Sequence, residues 1–243
     1  MTAFRGLLAY PITPLADDDA PDLDALGRLV QDAARAGVDG VVVLASSGAG
    51  VTFDPDERDA VVRAAVSAGS AGATPVHVAV SGASTREVLA RARAARGAGA
   101  DGLVLAPFSY LPLDEAEVVA LFEAVAADVD LPVCFYHRSV QTAYDLTPGT
   151  LARLARTTTV VAVKDAASTP ARPGGRVAAL RAATDGLGVS VGLSGDVPLV
   201  RGAEPADAWH TGLAALVPAE YVALRRARAA GTVPDARVAR WLH

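Results

Sequence analysis

Short apolar runs rich in valine alternate with longer stretches rich in alanine, leucine and arginine along the chain. Each run is about four to seven residues long, as the strands of a barrel are. This alternation of strand-like and helix-like segments predicts consecutive βα units around a parallel sheet. The predicted strands cover residues 7–12, 40–44, 75–80, 102–105, 132–136, 160–164, 189–193 and 208–213.

The stretches between the runs carry the start signals of helices. Asp54, Ser84 and Thr147 each precede a predicted helix, where a side-chain oxygen can accept from the N–H groups of the first turn. We expect a loop or a single helical turn over 196–207, which prolines interrupt, and a short amphipathic tail over 233–243. The predicted helices cover residues 22–36, 55–68, 85–96, 114–127, 148–156, 175–183 and 219–230.

Two segments of the chain nearly repeat each other. AGVDGVVVL begins at Ala36 and AGADGLVLA begins at Ala98, and each closes a helix, turns at a glycine and opens a strand. Their separation of about 62 residues corresponds to two βα units. Eight such units in 243 residues predict a (β/α)8 TIM barrel that forms one domain over residues 1–243.

Composition and charge exclude several classes of protein. Hydrophobic residues make up 51% of the chain, which is enough to build a large core. The net charge of −5 comes with no basic patch, and no apolar run reaches the roughly 18 residues of a membrane span. We therefore expect neither a nucleic-acid nor a membrane partner. The lone cysteine and the lack of a signal-peptide pattern predict a cytoplasmic protein.

Lys164 is the only lysine among the 22 lysine and arginine residues. It ends the apolar run VVAVK, so in a barrel its side chain would rise at the carboxyl end of a strand, where active sites of this fold lie. Apolar neighbours disfavour the ammonium form and leave a neutral amine, which can attack a carbonyl carbon. The alternative is a strand-end lysine that is paired with Asp165.

Candidate partners of the lysine lie at the ends of two other predicted strands. Tyr136 is a candidate proton carrier, although a tyrosine at this place can also be a core residue. We interpret Cys134, on the same face, as a small core filler. After the second strand, the segment ASSGAG brings the hydroxyls of Ser46 and Ser47 to one turn, which suits a carboxylate. A phosphate loop is disfavoured because no lysine stands in Walker spacing, and a plain turn is the other interpretation.

The histidines show no metal-binding pattern. They are scattered and lack the paired spacing or the carboxylate cluster of a zinc site. We therefore expect no metal and no cofactor, which argues against a metal-dependent aldolase. The histidines are His77, His137, His210 and His243.

Taken in order, seven segments resemble the dihydrodipicolinate synthase / N-acetylneuraminate lyase family of Schiff-base aldolases. They cover nearly the whole chain, and their order makes the match specific. The resemblance implies a (β/α)8 barrel with a truncated C-terminal helical extension, and a homo-oligomer that is a dimer or a tetramer. The segments are GLLAYPITPL, AGVDGVVVLASSGAG, AGADGLVLAPFSYLP, LPVCFYHRSVQT, VVAVKDAA, LSGD and AWHTGLAALVP.

The resemblance also implies roles for individual residues. Three residues would be catalytic. Lys164 would form the Schiff base, and Tyr136 and Ser46 would transfer protons. Five would bind substrate, the first two by holding the carboxylate of the keto acid: Ser47, Gly48, Arg138, Gln141 and Gly195.

Several positions depart from the pattern of the family. Gln141 stands where true dihydrodipicolinate synthases have an arginine for the carboxylate of the second substrate, although Arg138 offers another guanidinium nearby. Ser109 replaces the tyrosine that a neighbouring subunit contributes to the proton relay, and Ala49 replaces a glutamate. These changes favour a divergent member over an enzyme of lysine biosynthesis.

The leading hypothesis is therefore a Schiff-base lyase or aldolase that acts on pyruvate or a related 2-oxo acid, with an aldehyde as a candidate second substrate. A sugar-acid dehydratase is the alternative within the same chemistry. A non-catalytic barrel that binds a keto acid or a protein partner is the alternative from another class. The sequence does not choose among aldol addition, cleavage and dehydration.

Overall fold

A computed structural model describes residues 3–166, 175–196 and 206–232. Its strands pair in parallel in chain order, and the last strand pairs with the first, so the sheet is a closed barrel. The predicted (β/α)8 barrel is confirmed. The strands are β1 Gly6–Ala9, β2 Gly40–Val43, β3 Val76–Ala79, β4 Gly102–Leu105, β5 Val133–His137, β6 Val160–Asp165, β7 Ser190–Ser194 and β8 Ala208–Thr211.

Helices connect the strands on the outside of the barrel. They include one single-turn helix, α5, that the sequence pattern did not predict, and a 3-10 turn at Leu213–Ala215. The helices of the described ranges are α1 Leu23–Ala36, α2 Pro55–Ser70, α3 Thr85–Gly97, α4 Glu115–Asp128, α5 Ser139–Thr142, α6 Pro148–Thr157, α7 Arg176–Ala183 and α8 Pro218–Ala229.

Two predicted strands are too long at their carboxyl ends. The strand predicted over 7–12 ends at Ala9, close to Pro11, which has no N–H for a sheet ladder. The strand predicted over 208–213 ends at Thr211, because the chain then turns into the 3-10 helix. The predicted tail over 233–243 and most of the predicted loop over 196–207 lie outside the described residues.

The predicted helix caps are confirmed. Asp54 accepts from the N–H groups of Asp56 and Glu57, and the Glu57 side chain accepts in turn from the Asp54 N–H, which completes a capping box. The Ser84 side chain accepts from the Glu87 N–H and caps α3, and the Thr147 side chain accepts from the Thr150 N–H and caps α6. These bonds fix where the helices begin and therefore where the loops above the barrel end.

The repeated segment has a structural role that recurs around the barrel. The Asp39 carboxylate accepts from the Leu7 N–H at 2.8 Å, and the Asp101 carboxylate accepts from the Val76 N–H at the same distance. Each aspartate immediately precedes a strand and satisfies a donor near the start of the preceding strand. Asp207 repeats the contact before β8 with the Val191 N–H at 2.9 Å.

The core has two layers, one between barrel and helices and one inside the barrel. The inner layer contains many small side chains, so the barrel centre has room for larger polar groups. The buried polar side chains inside the barrel include His77, Lys164 and His210. The small residues are Ala45, Ala79, Cys134, Ala162 and Ala208. No helix in the described ranges is long and apolar enough to cross a membrane.

Candidate active site

The Lys164 side chain projects into the barrel near the carboxyl end of β6 and is only 6% exposed. Strand alternation places it above Ala162, which lines the inner layer. In the register of the sheet it lies beside Tyr136 on one side and Gly192 on the other. The only lysine of the chain is therefore enclosed at the barrel mouth, as the sequence predicts.

Burial changes the acidity of this amine. Loss of solvation lowers the pKa of Lys164 to about 7, and the Arg138 charge adds to the shift. Among the described residues, no carboxylate forms an ion pair with the amine. A substantial fraction of Lys164 is therefore a neutral nucleophile near neutral pH.

Two aromatic rings enclose the lysine nitrogen. Nζ lies 3.7 Å from the centroid of the Tyr10 ring and 4.1 Å from that of the Tyr136 ring. Cys134 lies on the same inner face of β5 as Tyr136, and burial raises the pKa of its thiol to about 12. The Cys134 thiol therefore keeps its proton, which agrees with its interpretation as a core filler.

The Tyr10 hydroxyl is bonded to a buried histidine of the neighbouring strand, with 2.7 Å between Tyr10 Oη and His210 Nδ1. Burial raises the pKa of Tyr10 well above its ordinary value and lowers that of His210 well below its own. Tyr10 therefore keeps its proton and His210 is neutral. We assign the Tyr10 hydroxyl as the donor and His210 Nδ1 as the acceptor.

The structure brings Arg138 to the same site. Its Nη1 lies 3.5 Å from the Tyr136 hydroxyl, and Arg138 is exposed at the barrel mouth. Gln141 lies in α5, where its N–H donates to the Arg138 carbonyl at 2.9 Å. The exposed Gln141 side chain forms no hydrogen bond with the described residues.

The turn after β2 forms a second wall of the mouth. The Ser47 hydroxyl donates to the Tyr10 carbonyl at 3.1 Å, and Thr13 donates to the Gly48 carbonyl at 2.8 Å. A side chain at Gly48 would lie 3.1 Å from the Leu44 nitrogen, so the close turn favours glycine. The N–H groups of Ser46, Ser47 and Gly48 donate to no acceptor within the described ranges, which leaves them for a ligand.

Gly195 directly follows β7 and has a positive φ of 98°, a conformation that favours glycine. Its N–H donates to the His210 carbonyl at 2.9 Å. No described atom lies within 4 Å of where a side chain at this position would begin. No residue of the described ranges therefore fills the space beside Gly195, at the end of the strand next to Lys164.

A second polar cluster lies on the outer face of the same two strands. Asp165 and His137 directly follow Lys164 and Tyr136, so strand alternation turns them towards the helices. His137 Nδ1 donates to Asp165 Oδ1 at 2.7 Å, and Arg176 Nε donates to Asp165 Oδ2 at 2.6 Å. Asp165 is therefore engaged on the outer face and is not the partner of the lysine.

This outer cluster keeps its carboxylate ionised. Burial alone would raise the pKa of Asp165, but the His137 hydrogen bond and the Arg176 charge hold that pKa below its ordinary value. Arg176 also donates to the Leu146 carbonyl at 3.0 Å, which ties α7 to the segment after β5. The cluster thus holds β5, β6 and α7 together directly behind the site.

The sequence prediction missed Tyr10 and His210 as members of the site. They are 200 positions apart and become neighbours only when β1 and β8 close the barrel. Tyr10 directly follows the end of β1 at Ala9, whereas the strand predicted over 7–12 placed it inside a strand. With that strand ended before Pro11, the rule that selected Tyr136 would also have selected Tyr10.

Comparison with known proteins places the chain among relatives of one kind. The sequence profile described as the dihydrodipicolinate synthetase family matches residues 3–193. A 4-hydroxy-tetrahydrodipicolinate synthase of Nitrosomonas eutropha is 35% identical over 170 residues, which are 70% of this chain and 58% of that protein. The chain thus spans less than two thirds of the length of this relative.

Solved structures of similar fold agree. Dihydrodipicolinate synthase from Agrobacterium tumefaciens superposes with a TM-score of 0.86 at 31% identity, over 97% of this chain and 79% of that chain. YagE, a prophage protein of the dihydrodipicolinic acid synthase family from E. coli K12, superposes with a TM-score of 0.84 at 27% identity, over 98% and 79% of the two chains. The YagE structure is a complex with pyruvate.

Proposed function

Since the chain belongs to the dihydrodipicolinate synthetase family, we propose that it is a Schiff-base-forming lyase or aldolase that acts on pyruvate or a related 2-oxo acid. The observation that carries the proposal is the buried Lys164 amine at the barrel mouth. It has no carboxylate partner among the described residues, and burial lowers its pKa to about 7. The pyruvate bound to the related YagE supports the choice of keto acid.

In the proposed reaction the neutral Lys164 nitrogen bonds to the carbonyl carbon of the keto acid. One amine hydrogen and one proton from an acid then go to the carbonyl oxygen, which leaves as water. The iminium that remains keeps one hydrogen and a positive charge on nitrogen, and it makes the adjacent carbon acidic. Tyr136, whose ring lies 4.1 Å from Nζ, carries protons in this sequence, with Ser46 as its partner.

The turn after β2 is the proposed carboxylate site. The N–H groups of Ser46, Ser47 and Gly48, which have no acceptor among the described residues, supply donors without a counter-ion, and the space beside Gly195 leaves room for the substrate. Arg138 and Gln141 face solvent at the mouth, where a second substrate would enter. With glutamine at 141 the carboxylate of an incoming aldehyde loses a bidentate partner, which supports a divergent specificity over that of the synthases named above.

We also propose that the protein is a homo-oligomer. Apolar side chains after β4 and within α5 are exposed at the rim of the barrel, including Tyr110 and Val140, each 93% exposed, and Leu111, 68% exposed. Large apolar side chains that are exposed at one end of a barrel supply surface for association with a second copy. Sedimentation velocity on the purified protein measures the assembly directly, and a monomer at all concentrations would contradict this part of the proposal.

Borohydride reduction in the presence of pyruvate tests the Schiff base. We expect mass spectrometry to find a reduced pyruvate adduct on the peptide that contains Lys164, and none on a Lys164→Met variant. Because Lys164 is the only lysine, the chain has no competing side-chain amine. An unlabelled wild-type protein would rule out pyruvate as the keto acid.

The alternative is a non-catalytic barrel that binds a keto acid. The replacements at Ala49 and Ser109 favour this alternative, because both remove a functional side chain of the family pattern. NMR of the pyruvate methyl group in heavy water separates the two. The enzyme accelerates exchange of the methyl protons, and a binder leaves the rate at background.

A further inference from the structure

We propose that Tyr10 is a catalytic residue that forms, with Tyr136, a two-ring cage for the nitrogen of the iminium, and that His210 holds the Tyr10 ring in place. The proposal rests on the proposed function, since it concerns the lysine that forms the Schiff base. It assigns a role to two residues outside the set predicted from the sequence.

The cage follows from the position of the lysine nitrogen. Nζ lies 3.7 Å from the centroid of the Tyr10 ring and 4.1 Å from that of the Tyr136 ring. Both distances are within the range at which the negative face of an aromatic ring attracts a cation. The nitrogen therefore has a π face on two sides.

The reaction needs such a cage because it creates charge in an apolar place. The same burial that leaves the Lys164 amine neutral also disfavours the positive iminium that forms from it. A carboxylate would stabilise the iminium, but it would also hold the free amine as an ammonium ion. Aromatic faces offset part of the desolvation cost of the cation without placing a full negative charge beside the nucleophile.

His210 fixes the orientation of the Tyr10 ring. The Tyr10 hydroxyl donates to His210 Nδ1 at 2.7 Å, and both side chains are at most 2% exposed. The ring planes meet at 62°, so the hydrogen bond joins the edge of the imidazole to the phenol and leaves the Tyr10 face to the lysine. His210 acts on Lys164 through Tyr10 and is a positioning residue.

Gly192 makes room for this arrangement. It lies beside Lys164 in the register of β6 and β7. A side chain at 192 would collide with His210 Nε2 and lie 2.7 Å from His210 Cδ2. The imidazole thus occupies the space that a side chain on β7 would fill, next to the lysine. The ionisable groups near the amine are Tyr10, His77, Cys134, Tyr136 and His210 on the inner face and Arg138 at the mouth.

The first test varies the ring and its anchor separately. The readout is the pyruvate concentration that gives half-maximal borohydride adduct at Lys164. We expect Tyr10→Leu, which removes the ring, to raise this concentration by roughly thirtyfold, and Tyr10→Phe, which keeps the ring, by less than about threefold. Tyr144→Leu removes a buried tyrosine ring from the outer layer and is the matched control, with an unchanged value.

The anchor is tested at His210. His210→Leu removes the acceptor of the Tyr10 hydroxyl, so we expect a loss similar to that of Tyr10→Phe. His210→Asn offers an oxygen in place of Nδ1 and restores most of what His210→Leu loses. A Tyr10→Leu variant with the wild-type half-maximal concentration would overturn the cage, and equal values for the two His210 variants would overturn the positioning role.

A second measurement does not depend on the reaction. Protein made with ¹³C-lysine gives one Cε signal, since Lys164 is the only lysine. Ring faces near Nζ shift the attached protons upfield in the wild type and in Tyr10→Phe, and the shift falls in Tyr10→Leu. We expect the titration midpoint of this signal to fall by roughly one unit in Tyr10→Leu, because the cation loses a ring.

The two measurements separate failure of the cage from failure of the proposed function. If wild-type protein forms no borohydride adduct with pyruvate or with any related 2-oxo acid, the proposed function fails, and the NMR midpoint alone decides the cage. If the adduct forms and Tyr10→Leu changes neither the half-maximal concentration nor the midpoint, the cage fails and the proposed function stands.

Discussion

The two faces of the β5–β6 pair each bury an ionisable group, and burial has opposite outcomes for the charges of these two neighbouring residues. On the inner face, Lys164 beside Tyr136 is buried without a carboxylate partner among the described residues, and its pKa falls to about 7. On the outer face, Asp165 beside His137 is buried with two cationic or donating partners, and its pKa stays below the ordinary value. Lys164 and Asp165 are both buried, so the presence or absence of an oppositely charged or hydrogen-bonding partner determines which of them stays charged.

Function and stability are divided between the two faces. An unpaired buried amine costs stability, because the folded state gives up the solvation of its cation. A fully bonded cluster behind it holds the strands that carry the site. Substitutions that change one face at a time separate the two contributions.

The largest effect is expected from the inner face. Lys164→Met keeps the length of the side chain and removes the nucleophile, so we expect complete loss of the accelerated proton exchange at the pyruvate methyl. Urea unfolding at pH 7 should show equal or higher stability than the wild type, because an apolar group replaces a desolvated amine. A variant with residual exchange above background would place the nucleophile elsewhere.

The next effect is expected from the outer face. Asp165→Asn removes the carboxylate charge to which His137 and Arg176 both bond. We expect a loss of about 3 to 5 kcal/mol in the free energy of unfolding, measured in urea. Proton exchange at 20 °C, in a folded sample, should stay within about threefold of the wild type. Asp128→Asn, which breaks a surface pair with Arg93, is the matched control and should leave the urea midpoint nearly unchanged.

The pH dependence of stability distinguishes the two faces as well. The pKa of Lys164 is lowered from 10.5 to about 7 in the folded state, so between these values the unfolded chain binds the extra proton. Stability therefore rises with pH in this window, by about 2 kcal/mol from pH 7 to 9, and is lost again as the pH falls to 7. The Lys164→Met variant lacks this rise, and a wild type with no rise would contradict the lowered pKa.

The pKa of Asp165 shifts in the same direction, but its window lies in acid. Its stabilising contribution is present above the ordinary pKa of an aspartate and is lost as the pH falls through the lowered folded value. Acid titration of urea stability in wild type and Asp165→Asn therefore isolates the outer face, as the alkaline window isolates the inner one.

The smallest effect is expected from a change in the geometry of the outer cluster. Arg176→Lys keeps the charge but cannot reach Asp165 and the Leu146 carbonyl together, so we expect a loss of about 1 kcal/mol in urea unfolding. Arg153→Lys, on an exposed helix surface, is the matched control and should be neutral. A loss as large as that of Asp165→Asn would mean that geometry outweighs charge in the cluster.

The inner face could be predicted from the sequence and the outer face could not. Lys164 and Tyr136 each end an apolar run, and the ends of strands in a parallel barrel meet at one mouth. The barrel itself followed from eight alternating units, and its helix caps followed from local residues. Each of these signals lies within a few neighbouring residues, so it can be recognised in a single sequence.

What the sequence did not reveal depends on contacts between distant segments. His137, Asp165 and Arg176 come from β5, β6 and α7, and their alignment requires the register of the sheet. Tyr10 and His210 meet only at the seam that closes the barrel. The strand ends at Ala9 and Thr211 were also missed, because apolar composition continues after the ladder has stopped.

The burial of the only lysine has a consequence for proteolysis. An endoprotease that cuts after lysine has one target bond in the printed sequence, between residues 164 and 165, and that bond lies inside β6 with a strand hydrogen-bonded on either side. Cleavage requires β6 to leave the sheet, so the rate of a single cut follows the fraction of molecules whose barrel has opened. The rate of cleavage by a lysine-specific protease therefore measures how often the barrel opens.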